Sequence, residues 1–212
     1  MENKKRVILN YCLIVMVIVP WLWMFFFGIG ELSSKGLLSL RYFTVLSNLL
    51  AAAAAAVWLV LRRKGEDAVR KAETMKYVAA TAVALTFTTV MVFLGPIYGY
   101  PPMFTGANLF FHGIVPVAAV LEVIFMAERK FDRRDNLLAV IPTAAYGVFY
   151  VCNVLINGRG EWPELNDFHM FFAWGNRAAA VIFVIMLAVT YMLGLLMRKT
   201  QRAGRKKKGE SE

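Results

Sequence analysis

Six long apolar blocks run through this 212-residue chain, at about residues 7–28, 42–61, 76–94, 109–127, 137–156 and 171–197. No other feature restricts its fold as much. A helix rises about 1.5 Å per residue and the hydrocarbon core of a bilayer is about 30 Å thick, so one crossing takes roughly 20 mostly apolar residues. Each block meets or nearly meets that length. Composition agrees, with 59% hydrophobic residues, 18% charged and a mean hydropathy of +0.56. The charges collect between the blocks instead of forming periodic polar faces. The fourth block carries His112, Pro116 and Glu122, yet it counts as a span because polar groups inside a bundle can face protein instead of lipid. The first follows Lys4, Lys5 and Arg6 as a signal peptide would. Its apolar run exceeds a signal core and no small-residue cleavage site follows, so it reads as a mature helix. The expected fold class is therefore all-α: a polytopic membrane protein with six transmembrane helices in one bundle over residues 1–200, followed by a basic tail at 201–212.

The net charge of +10 follows from orientation and does not call for a nucleic-acid partner. With the N-terminus in the cytoplasm, all but Lys35, Arg41, Arg159 and Arg177 of the 24 Lys and Arg residues fall on the cytoplasmic side, as the positive-inside rule requires. Both termini are then cytoplasmic, and the tail is a solvated topology determinant beside membrane lipids. Cys12 and Cys152 sit on different helices near opposite faces, too far apart to pair, and read as buried apolar side chains. Ala51–Ala56 favours close approach of neighbouring helices. Two outer loops, "GPIYGYPPMFTGAN" and "NGRGEWPELNDFH", carry aromatics that serve as interfacial anchors, or alternatively as a lid. His169, in the second loop, is expected to be exposed.

Polar residues gather in the outer half of four helices. Arg41, Thr44 and Asn48 share a face of the second span by their spacing of three and four, with Ser47 beside them. His112 enters the fourth span at a similar depth. Tyr146, Tyr150, Asn153 and Asn157 form a stripe on the fifth, and Asn176 and Arg177 open the sixth. Singly, each has an ordinary reading as an intrahelical or interhelical hydrogen bond. Together they predict a cavity open to the outer interface, because polar groups in a membrane are costly. Glu122 lies ten residues past His112, about 15 Å deeper, and is expected to make a structural interhelix hydrogen bond.

A threonine hydroxyl needs a base within hydrogen-bond reach to act as a nucleophile. His112 is the one histidine expected inside the membrane, and imidazole titrates near neutrality. Thr44 as nucleophile and His112 as base predict acyl transfer, with Ser47, Asn48 or Asn153 as oxyanion donors worth about 3–4 kcal/mol if well aimed. Arg41, Lys35 and Arg177 would meet a fatty-acid carboxylate; their alternative is snorkelling or a salt bridge to Glu31. The histidine's orienting partner is a backbone carbonyl, Asn153, Glu161 or Glu164. No Gly-x-Ser-x-Gly elbow, phosphate loop, His-Glu-x-x-His or cysteine cluster is present, so neither metal nor nucleotide cofactor is expected.

"RYFTVLSNLL", then "HGIVP" on another span, then "GVFYVCNVLINGRGEWP" resemble the androgen-induced-protein family of integral membrane hydrolases and its six-helix bacterial relatives, over roughly the second to fifth spans. The resemblance implies a threonine hydrolase of fatty acid esters of hydroxy fatty acids, with Thr44 as nucleophile and His112 as its partner. The competing readings are a small-solute or lipid carrier and a noncatalytic lipid-binding protein.

Overall fold

The computed structural model describes residues 2–28, 35–161 and 165–207, and every regular element among them is helical. Six helices are long and apolar enough to cross a membrane. They are α1 (Glu2–Phe27), α2 (Phe43–Leu61), α3 (Glu66–Tyr98), α4 (Ala107–Met126), α5 (Arg133–Asn157) and α6 (Asn176–Lys207). The chain is a multi-pass integral membrane protein. Its lipid face is legible on α1, where Ile8, Tyr11, Val15, Val19, Leu22 and Phe26 are exposed at spacings of three and four. The inward side carries Arg6, Asn10, Leu13, Val17 and Met24, so α1 is apolar on both sides over most of its length, as a lipid-facing helix is.

The alanine run does what small residues do in membrane bundles. Ala51, Ala52, Ala54 and Ala55 are buried where α2 packs on both α1 and α3, letting backbones approach closely. Two glycines serve the same end on the far side. A Cβ at Gly147 would fall 1.8 Å from the Phe183 ring, and one at Gly194 would fall 2.7 Å from Asn136 Oδ1. At Gly194 the space is used by Tyr77 Oη, whose single hydrogen is shared between Gly194 O (2.6 Å) and Asn136 Oδ1 (2.8 Å), tying α3, α5 and α6 together.

The third helix starts ten residues before the expected boundary, and its added turns carry Glu73 into a buried ionic cluster. Arg6, Asn10, Glu73, Lys76 and Glu122 are at most 3% exposed. Arg6 bonds Glu73 through Nη2 (3.0 Å) and Glu122 through Nε (3.0 Å). Lys76 Nζ lies 2.6 Å from Glu122 Oε2 and donates to Asn10 Oδ1. Asn10 Nδ2 donates to Glu122 Oε1 (2.8 Å), and the Arg6 guanidinium lies 4.3 Å from the Trp58 ring centroid. Two cations neutralise two carboxylates, so Arg6, Glu73 and Lys76, which look in sequence like solvated loop charges, are tolerated inside the bundle. Arg6 and Lys76 are thus interior residues, not part of the exposed basic surface, and Glu122 makes the expected structural interhelix hydrogen bonds, to Asn10 and Arg6 of α1, within a larger ionic cluster.

Both ends of the described chain lie at this end of the bundle. Arg6 Nη1 reaches within 3.6 Å of Glu128, while Arg205 donates to Ala127 O (2.6 Å) and Arg202 to Phe131 O (2.8 Å). The first part of the expected tail is accordingly helical: α6 runs through Lys207, and Gln201 is buried against the 127–131 loop, donating to Arg129 O (3.0 Å). The two cysteines differ from expectation. Both are exposed on helix surfaces, where a thiol is apolar enough to face lipid.

Candidate active site

At the opposite end, α3 and α4 each break their α-helical register in the same way. In α4 the residues Phe110–Ile114 form a π turn, with Val115 N–H donating to Phe110 O, five residues back. The next bond in that register would run from residue 116 to Phe111 O, but Pro116 has no N–H. Asn48 of α2 fills the gap: its Nδ2 donates to Phe111 O at 3.1 Å and to Thr44 O at 2.7 Å. In α3 the π turn is Val90–Leu94, Gly95 N–H donates to Val90 O, and Pro96 leaves Met91 O open. Tyr100 Oη takes it at 3.0 Å. Gly95 makes room, since a Cβ there would meet the Tyr100 ring at 2.3 Å. Such single π turns concentrate at functional sites.

The α4 π turn presents His112, which is 7% exposed. Its Nδ1 lies 2.7 Å from Met103 O. A carbonyl only accepts, so Nδ1 carries the proton and the neutral ring keeps its lone pair on Nε2. Among the expected orienting groups it is the backbone carbonyl that holds the ring; Glu161 is exposed, and Glu164 lies outside the described residues, as does Glu31. Thr44, half-buried in the first turn of α2, is joined to the His112 turn through the two bonds of Asn48. Among the described residues, Nε2 of His112 accepts no hydrogen bond and the buried Oδ1 of Asn48 has no partner.

The remaining sequence candidates divide between other tasks. Ser47 Oγ bonds Thr44 O and Thr86 Oγ1, each at 3.1 Å. Asn153 Nδ2 reaches Asn166 O, and Asn157 reaches Asn153 Oδ1 at 2.9 Å. Of the three expected oxyanion donors, Ser47 and Asn48 spend their hydrogens on the protein itself, and Asn153 spends one of its two. Asn176 and Arg177 are exposed at the start of α6 and do not join the cluster, because the preceding turn Phe171–Trp174 packs on α5 through Phe172 and sets the α6 entry outside it.

Arg41 and Tyr150 belong to a second, aromatic group under the loop before α6. Arg41 donates to Tyr42 Oη (3.0 Å) and stands 5.1 Å from the Phe168 ring. Tyr146 Oη donates to Arg41 O (2.7 Å), which leaves its lone pair to the Nε2–H of His169, also at 2.7 Å. Tyr150 donates to Asp167, a 4%-exposed carboxylate that also accepts from Phe172 N (3.1 Å). His169 is thus partly buried among Tyr42, Tyr146, Tyr150, Phe168 and Phe171, contrary to the exposure expected of it. Loss of hydration, with Arg41 adding like charge, pushes its pKa down to about 4. The aromatic density of "DFHMFF" around it was the available signal.

Two apolar grooves open beside these groups. One, of about 380 Å³, lies between α2 and α5 against Phe43, Leu46, Ser47, Leu50, Tyr146 and Phe149. The other, of about 370 Å³, lies between α3, α4 and α6 around Pro116 and Leu193. Neither of these two grooves is lined by Thr44 or His112; Ser47 is the residue of the α2 polar face that reaches the first. Among the described residues no cluster of metal-ligating side chains occurs. No family model, curated protein or solved structure matches the chain.

Proposed function

We propose that the protein is a threonine-dependent hydrolase of lipid esters, acting on fatty acid esters of hydroxy fatty acids or similar amphiphiles. It would lie in a bacterial plasma membrane with both termini cytoplasmic and the Thr44–His112 end toward the outer leaflet. The observation that carries this reading is the pair of bonds from Asn48 to Thr44 O and Phe111 O, which joins the turn bearing an alcohol to the turn bearing an imidazole whose Nδ1 is already engaged. In the reaction, Thr44 Oγ1 attacks the ester carbonyl carbon as His112 Nε2 takes its proton. The imidazolium returns that proton to the departing alkoxide oxygen, leaving an acyl-threonine. Water, deprotonated by the same nitrogen, then releases the fatty acid and restores the hydroxyl.

The test is a fluorophosphonate probe on the purified protein, followed by hydrolysis of a panel of ester lipids. Wild type labels, Thr44→Ala loses labelling about 100-fold or more with unchanged thermal unfolding, and His112→Ala loses hydrolysis to a similar degree. Labelling that survives Thr44→Ala ends the proposal. The groove between α2 and α5 favours a second reading, noncatalytic lipid binding or transport, which predicts lipid transfer without labelling.

A further inference from the structure

His112 owes its tautomer to a segment outside its own helix. Residues 99–106 cross from α3 to α4 and lie over the site. Each end is a glycine in a conformation that side chains avoid: Gly99 at φ +84 and ψ 147, Gly106 at φ +58 and ψ −132. Between them, Tyr100–Met103 make one helical turn containing Pro101 and Pro102, braced by Thr105 Oγ1 donating to Pro101 O (2.7 Å) and Asn108 Nδ2 to Pro102 O (3.3 Å). The result is a stiff strap between two backbone pivots.

Its attachments fall on the two π turns. Tyr100 Oη ties it to Met91 O of α3. On α4 the Phe104 ring packs over Gly113, within 3.5 Å of where a Cβ would lie, and Met103 O receives Nδ1–H of His112 at 2.7 Å. The outer surface of the strap is open, with Tyr100, Pro101 and Pro102 exposed. Lifting it would free the imidazole to rotate or change tautomer, and Nε2 would no longer be fixed as the basic nitrogen.

We propose that residues 99–106 are the orienting arm of the His112 site: the closed strap delivers the Met103 carbonyl to Nδ1, and the nitrogen available for proton transfer depends on that closure. Met103 is a positioning residue that acts through His112. This inference rests on the Thr44–His112 reading for its catalytic consequence, while the positioning itself has an independent readout.

That readout is the ¹⁵N spectrum of histidine-labelled protein in nanodiscs. His112 and His169 are the only histidines in the chain, so His169 serves as an internal control of folding. In wild type, His112 is expected to show a protonated Nδ1 and a pyridine-like Nε2. Tyr100→Phe, which removes only the tether to Met91 O, and Phe104→Ala, which removes the packing on Gly113, are expected to mix the tautomers while the His169 signals stay in place. Fluorophosphonate labelling of Thr44 should fall roughly tenfold in the same variants, with a shifted inflection in its pH profile. A wild-type His112 protonated on Nε2, or variants that leave both its tautomer and the pH profile unmoved, would overturn the proposal. Strap-dependent tautomers in a protein that never labels would uphold the positioning and sink the hydrolase reading instead.

Discussion

The two ends of the bundle use polar residues in opposite ways. At the basic end, Arg6, Glu73, Lys76, Glu122 and Asn10 pair with one another and carry no net charge, and even Glu122 Oε2, which has no hydrogen-bond partner among the described residues, lies 2.6 Å from Lys76 Nζ. At the aromatic end, Asn48 joins two helices yet keeps a buried oxygen without a partner among the described residues, and His112 is held by one nitrogen with the other open. A membrane interior penalises unsatisfied polar atoms. A closed cluster there is architecture, whereas open valences beside a hydroxyl are where chemistry is worth seeking. Amount of charge is a poor guide: the more highly charged region is the less reactive one.

The contrast is broken most directly at Glu122. Glu122→Ala leaves Arg6 and Lys76 with Glu73 as their one buried carboxylate, beside the half-exposed Glu128, and should lower the unfolding free energy by about 3–5 kcal/mol, read by equilibrium unfolding in detergent. Replacing Lys76 and Glu122 together by Met and Leu should recover much of the loss, because an apolar pair has no charge to strand. A tolerated Glu122→Ala would mean that the cluster is not closed.

Asn48→Ala sharpens the other side. It strips Phe111 O of its donor, at a cost of about 1–3 kcal/mol, and should reduce labelling at Thr44 about tenfold. Asn48→Asp should not rescue, since an aspartate oxygen cannot donate to two carbonyls. Stability lost with labelling intact would make Asn48 a structural staple only.

The aromatic group predicts a pH dependence. The pKa of His169 is about 4 in the folded protein against about 6.5 unfolded, so between these values the unfolded chain binds more protons. Its contribution to stability is complete above about pH 6.5, declines as pH falls toward 4, and levels off below. Thermal unfolding across pH 4–7 should show this slope in wild type and lose it in His169→Phe. The smallest effect belongs to Arg177→Ala and Asn176→Ala: both residues are exposed, and each change should alter stability by no more than about 0.5 kcal/mol and leave labelling unchanged.

Much of the candidate site is legible in the sequence. Thr44, Asn48 and His112 stand out because polar residues are scarce in apolar blocks, and spacing puts Thr44 and Asn48 on one face. The orienting group of His112 was not readable, since a backbone carbonyl such as that of Met103 leaves no mark in the residue types. Nor was the separate aromatic group, because Tyr146, Tyr150 and Asn153 rise toward the same surface as Thr44 whichever neighbour they finally meet.

The number of crossings and the close approach at Ala51–Ala55 follow from the sequence alone, because length, hydropathy and side-chain size are local properties of each helix. Partnership between helices is not local. Arg6 and Lys76 look like the solvated lysines and arginines around them until Glu73 and Glu122 arrive at matching depth on α3 and α4. His169 looks like a loop residue until five aromatic rings close around it. Only tertiary packing sets the register between helices, and that register decided which charges are neutralised, which carbonyl holds His112, and which polar atoms are left open.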